Sequence, residues 1–175
     1  MNTDHPGPPV WLLDVDGVIN ANRPGWHAAP RRSMVYSAQD RCEYRLRWAP
    51  TLIHRLRRLH ASSAVELRWC TTWCPEAHLL ERLWRLPPLA RALTCDPVPK
   101  GTHAHPLKLD AARQVLAAGR PLIWTDDEAV PTDGPVFAEL TAHGQALLIA
   151  PSSSRGLQPA DLDAVEAFTV RHARP

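Results

Sequence analysis

The sequence is nearly empty of lysine. Of its 20 lysines and arginines only Lys100 and Lys108 are lysine, so either one standing at a special position is a scarce residue. An excess of charge of one sign is also missing. A formal net charge of +2 over 175 residues is too small to draw the chain to nucleic acid or a membrane by its overall field. No run approaches the roughly 18 apolar residues of a membrane span, and the opening stretch MNTDHPGPPV has neither a basic start nor an apolar core. A soluble, cytoplasmic protein is expected. No CxxC pair occurs among Cys42, Cys70, Cys74 and Cys95, which predicts free thiols rather than a disulfide framework. Zinc held by Cys70, Cys74 and His78 with Cys95, His103 or His105 is not expected, because Cys70 falls in a strand and paired ligand spacing is missing.

What the chain does have is enough apolar material for one compact domain, 45% of its residues. Val10 to Leu13 reads as a short strand covered on both faces. Ala49 to His60 follows a helical period through Leu52, Ile53, Leu56 and Leu59, with Pro50 in its first turn. Ala64 to Cys70 reads as a strand and Pro75 to Trp84 as a helix with Leu79, Leu80 and Leu83 inward. Lys108 to Ala118 predicts a helix burying Leu109, Ala112, Val115 and Leu116, closed by Gly119. Pro121 to Thr125 and Ala146 to Ile149 read as strands, and Pro159 to His172 as a helix burying Leu162, Val165 and Phe168. This alternation predicts an α/β fold, a three-layer Rossmann-like parallel sheet with helices on both faces. One stretch departs from it. Between Ser33 and Trp48, Tyr44, Leu46 and Trp48 alternate with Glu43, Arg45 and Arg47, which predicts a β-hairpin inserted after the first strand and turning within Ser37 to Arg41.

The chemistry collects at strand ends. VWLLDVDG carries an apolar strand into Asp14 and Asp16, which as residues i and i+2 project to one side. Two carboxylates that close repel unless a cation or a shared proton joins them. Other strands end at Thr71 and Thr72 and at Asp126 and Asp127, and in a parallel sheet such ends converge on one crevice. Magnesium suits a set of hard oxygen ligands completed by phosphate. A carboxylate there can attack phosphorus while its neighbour two residues on protonates the leaving oxygen. Lys108, opening a helix against the dipole, is suited to neutralise a phosphoryl group.

DVDGV after an apolar strand, a threonine ending the second strand, a lysine at a helix start and an acidic pair after a later strand resemble, in kind and order, the four motifs of the haloacid dehalogenase (HAD) superfamily. The likeness spans Val10 to Asp127. It implies a HAD-type, magnesium-dependent phosphohydrolase acting through an aspartyl-phosphate. Asp14 is then the nucleophile and Asp16 the general acid/base, its main-chain carbonyl also on the metal. Thr71 binds the phosphoryl oxygens, Lys108 neutralises them, and Asp126 ligates magnesium with Asp127 in support. Thr72 could stand in for Thr71, Lys100 for Lys108, and either aspartate of the pair could meet the metal. The hairpin sits where the family carries its cap. Its small size leaves the crevice open to a phosphorylated small molecule, a nucleotide, a nucleic-acid end or a phosphoprotein, with Trp26, Trp48 and Trp73 as candidate stacking residues.

Two other readings stay open: a phosphotransferase using the same aspartyl-phosphate, and a non-catalytic module binding protein or nucleic acid. The latter would use Arg55, Arg57 and Arg58 on the helix His54 to His60.

Overall fold

A computed structural model describes residues 7–173; residues 1–6, part of the opening stretch read above for an export signal, lie outside them. The elements in chain order begin with β1 (Val10–Leu13), the hairpin strands β2 (Arg31–Ser37) and β3 (Cys42–Trp48), and α1 (Pro50–Ala61). Next come β4 (Glu66–Trp69), α2 (Ala77–Trp84), β5 (Ala90–Arg91), α3 (His105–Ala117), β6 (Leu122–Thr125), α4 (Gly134–Thr141), β7 (Ala146–Ile149) and α5 (Pro159–Arg171). Five strands form one parallel sheet in the order β5-β4-β1-β6-β7. From β1 the chain steps outward through α1 and α2, then crosses back through α3 and steps the other way through α4. Right-handed crossovers put the two pairs of helices on opposite faces. α5 packs toward α1, where Arg55 meets Asp163 at 2.8 Å and Glu166 at 2.9 Å.

The sheet is held by strands buried on both faces. All four residues of β1 and of β6 are buried, and Trp11, Trp69 and Trp124 fill the centre from three adjacent strands. The register sets the site, because Leu13 pairs with both Trp69 and Thr125. The strands therefore end level, and Asp14 and Asp126 emerge side by side where the strand order reverses, the place an open α/β sheet offers a ligand. No helix among the described residues is long and apolar enough to cross a membrane.

The hairpin is a separate two-stranded sheet that turns between Ser37 and Cys42. Leu46 and Trp48 are buried beneath it. Its tip is tied down by Glu76, which accepts from the backbone N–H of Ala38 at 2.8 Å and from the Ser37 hydroxyl. Lys100 pairs with Asp40 from the other side.

Four local expectations are corrected. Helix α3 begins at His105, after a 3-10 turn over Gly101–Ala104, because Pro106 suits a first turn; Lys108 is thus inside the helix rather than at its mouth. Its buried face runs through Lys108, Ala111, Ala112 and Val115, with Leu109 and Leu116 half-buried. In α2 the buried face is Ala77, Leu80, Glu81 and Trp84, while Leu79 and Leu83 are half-buried. Finally, β5 and α4 are present without having been expected.

Candidate functional site

Asp14, Lys108 and Asp126 form a buried charged trio. The Lys108 ammonium donates to Asp14 Oδ2 at 2.8 Å and to Asp126 Oδ2 at 2.6 Å. Each carboxylate is also fixed by backbone. Asp14 Oδ1 accepts from the Val15 N–H at 2.7 Å, and Asp126 Oδ1 from those of Glu128 at 3.0 Å and Ala129 at 2.7 Å. α3 delivers Lys108 from outside the sheet while β1 and β6 deliver the acids from within it, so one cation faces two anions at the strand ends.

Two carboxylates and one ammonium leave the trio one negative charge in excess, and burial decides how it is held. Burial pushes the Asp14 carboxyl up to about 8 against the pull of Lys108, with Asp126 adding to the rise. Burial also opposes ionisation of Asp126, but Lys108 and the two backbone donors hold it below the ordinary carboxylate value. For Lys108 burial disfavours the charge, and the two aspartates more than restore it, raising its pKa. Of the two carboxylates, Asp126 is thus the more readily ionised, and burial works against a charge on Asp14.

Asp127 completes an acidic group. Asp14, Asp126 and Asp127 each offer a carboxylate oxygen within 4.8 Å of the others. Burial, and then the Asp126 charge, raise Asp127 to about 6. Its side chain lies directly over Gly17, whose φ is +70°; a Cβ there would stand 2.0 Å from Asp127 Oδ2. That close approach is why the residue after Asp16 has no side chain. Hard oxygens so grouped could hold a divalent cation.

Asp16 stands exposed at the rim. Its Oδ1 accepts from the Asn20 amide at 2.6 Å and its Oδ2 from the Trp73 indole at 2.9 Å. A cavity of about 220 Å³ opens here, lined by Asp14, Asp16, Lys108, Asp126 and Asp127 together with Gly17, Thr72, Gly101, His105 and Glu128.

The expected residues divide cleanly. Asp14, Asp16, Lys108, Asp126, Asp127 and Thr72 meet at this cavity. Thr71 is fully buried and does not line it. Lys100 is occupied with Asp40 at the hairpin tip. Trp26 is a core residue whose indole donates to the Leu157 carbonyl at 2.8 Å, and Trp48 packs edge-on against Trp84, 6.1 Å between ring centroids. Trp73 is buried as well; it offers Asp16 a hydrogen bond instead of offering a substrate its face. On α1, Arg55 is committed to Asp163 and Glu166. The four cysteines are free thiols, and no group of thiols and imidazoles among the described residues gathers as a metal site. The sequence reading missed Gly17, Gly101, His105 and Glu128 as part of the cavity wall. Of these only Gly17 carried a signal, a glycine directly after two close carboxylates.

Comparison with protein-family models, with curated proteins and with solved structures finds no match to this chain.

Proposed function

We propose that the protein is a magnesium-dependent phosphomonoester hydrolase of the haloacid dehalogenase type, acting through an aspartyl-phosphate on Asp14. One observation carries the reading: a buried lysine braces two strand-end aspartates on the wall of a polar cavity, with a third carboxylate, Asp16, exposed at its rim. Lys108 and Thr72 offer donors for phosphoryl oxygens, and Asp14 offers a nucleophile beside them.

Oxygens sharing one magnesium at about 2.1 Å can be at most about 4.2 Å apart. The three carboxylate oxygens lie within 4.8 Å of one another, so they would have to draw closer to share one ion. The donor set fits a hard cation. Asp14, Asp126 and Asp127, with the main-chain carbonyl of Asp16, would hold magnesium, which supplies charge to ionise Asp14 and offset that of the phosphoryl group.

The chain's own groups then do the following. A carboxylate oxygen of Asp14 attacks phosphorus, and the bond from phosphorus to the alcohol oxygen breaks as Asp16 delivers its proton to that oxygen. The alcohol leaves. Asp16 next takes a proton from water, whose oxygen attacks the same phosphorus and breaks the bond to Asp14. Inorganic phosphate departs and both carboxylates are restored. Throughout, Lys108 stays charged and neutralises what burial would otherwise penalise.

The test is hydrolysis of an aryl phosphate by wild type and Asp14→Asn, each with magnesium and with EDTA. Turnover confined to wild type with magnesium is expected. Equal rates in all four cases would refute the reading.

A further inference from the structure

A second hollow adjoins the catalytic cavity and shares Asp16 and Gly17 with it. Its volume is about 270 Å³, and its far side is made by Arg45 and Arg47 of β3 with Asn20, Asn22 and Ser153. In the hydrolase reading Asp16 protonates the departing oxygen, so the leaving group extends in this direction. We propose that this hollow binds a second phosphate carried by the leaving group, which makes the substrate a doubly phosphorylated molecule in which one monoester is cleaved and the other anion is held by Arg45 and Arg47. This assignment rests on the hydrolase reading.

The arginines are arranged for an anion rather than for the fold. As residues i and i+2 of a strand they project to one face. Arg47 is half-buried and pre-set: its backbone N–H donates to Asn20 Oδ1 at 2.8 Å and its Nη1 to the Asn22 carbonyl at 2.6 Å. Its Nε and Nη2 donors remain to meet a ligand. Arg45 is exposed and makes no ion pair among the described residues. The hairpin register also sets Arg47 directly opposite Arg32. Like charges facing each other across an antiparallel pair destabilise it, so Arg47 is not placed there to strengthen the hairpin. The only acid lining the hollow is Asp16, which already accepts from Trp73 and Asn20. Guanidinium groups bind phosphate in a bidentate manner, which gives direction as well as charge.

Two sources share this chemistry, a small bisphosphate and the phosphorylated end of a nucleic-acid strand, where the next phosphodiester supplies the second anion. The experiment compares kcat/KM for an aryl phosphate, a nucleoside 5′-monophosphate, a nucleoside 3′,5′-bisphosphate and a 5′-phosphorylated trinucleotide. Wild type, Arg45→Gln and Arg45→Gln/Arg47→Gln are assayed with magnesium. Wild type is expected to favour one of the two doubly anionic substrates over the monophosphate, and the one favoured identifies the source. The ratio of kcat/KM for that substrate over the aryl phosphate should fall about tenfold for each arginine removed, a change equivalent to about 1.4 kcal/mol. Damage to folding lowers both rates and leaves the ratio alone. Aryl phosphate turnover with no preference for a second phosphate, or a ratio indifferent to both variants, overturns the subsite and leaves the hydrolase reading standing. Should no substrate turn over, the hydrolase reading fails. Calorimetric titration of the nucleoside bisphosphate then decides the subsite: binding by wild type that the double variant loses supports it, and binding unchanged by the variants, or none, overturns it.

Discussion

The indole N–H of Trp73 donates to Asp16 Oδ2 at 2.9 Å, linking the loop after β4 to the loop after β1, 57 positions away. The other oxygen of Asp16 is held by Asn20 at 2.6 Å. An exposed carboxylate with both oxygens tethered keeps one orientation over the cavity. Trp73 itself is fixed edge-on against Tyr44, 5.1 Å between ring centroids, so the hairpin's inner face indirectly positions the carboxylate proposed as general acid.

Trp73→Phe should keep an aromatic ring beside Tyr44 and remove the donor, along with part of the buried indole volume. A hydrogen bond to a charged group is worth roughly 1.5–3 kcal/mol, less where water can replace it, so about a tenfold loss is expected. The loss should fall on kcat and leave KM nearly unchanged if Asp16 acts on the leaving oxygen as proposed. Steady-state kinetics with an aryl phosphate measures the split, and an unaltered kcat would remove Trp73 from the mechanism.

Gly17→Ala should separate metal binding from folding. The added Cβ would meet Asp127 Oδ2 at 2.0 Å, in a backbone of φ +70° that disfavours a side chain. The carboxylate must move, and the acidic group with it. Displacing a supporting residue of a metal site costs roughly 10–100-fold in metal affinity, against about 1–3 kcal/mol of backbone strain. Magnesium titration of activity should show the weakened affinity in protein that still unfolds cooperatively on heating. Affinity equal to that of wild type would show that Asp127 is not near the ion.

How much of this was legible follows from what each residue answers to. β1 and the acids after it were readable because an apolar strand buried on both faces contrasts sharply with two carboxylates. Lys108 was legible by scarcity, but its place in α3 was not, because Pro106 in the first turn starts the helix at His105, three residues before Lys108. The face of α2 was misjudged because Glu81 is buried, and a buried carboxylate has no apolar signature. β5 is two residues long, and α4 buries only Leu140, so neither leaves a period to detect. The tryptophans show the limit best. Trp26 and Trp73 look alike in sequence, and what distinguishes them is a partner 131 residues away in one case and 57 in the other.

The acids predict how stability depends on pH without metal. Asp14 titrates near 8 and Asp127 near 6, both raised from the ordinary 3.8 chiefly by burial. Folding therefore tightens their hold on protons. The stabilisation is complete below pH 3.8 and is lost as pH rises through about 6 for Asp127 and about 8 for Asp14. In EDTA the melting temperature should fall between pH 5 and pH 8.5. In the proposed site magnesium would take the place of those protons, so its stabilising effect should grow over the same interval. Thermal melts with magnesium and with EDTA across this range make the comparison. A magnesium effect that is absent at pH 8, or larger at pH 5 than at pH 8, would contradict the assignment of these carboxylates to the cation.

Glu81 offers the opposite case, a buried charge that serves the fold alone. Its Oε1 accepts from the Trp69 indole at 3.0 Å, the Leu89 N–H at 2.8 Å and Arg91 at 2.7 Å. One carboxylate thus joins β4, the entry to β5 and α2, which explains how a strand of only two residues keeps its place at the sheet edge. Glu81→Gln would leave Arg91 facing a neutral amide and turn at least one donor toward another donor. Breaking a buried pair costs roughly 3–5 kcal/mol, and the lower end is expected because the Arg91 side chain is 28% exposed. Urea denaturation should show this as a shifted midpoint at unchanged slope. Activity per folded molecule should stay at the wild-type level, because Glu81 does not line the cavity. A midpoint equal to wild type would mean that the edge strand is held by the sheet ladder and Leu89 packing instead.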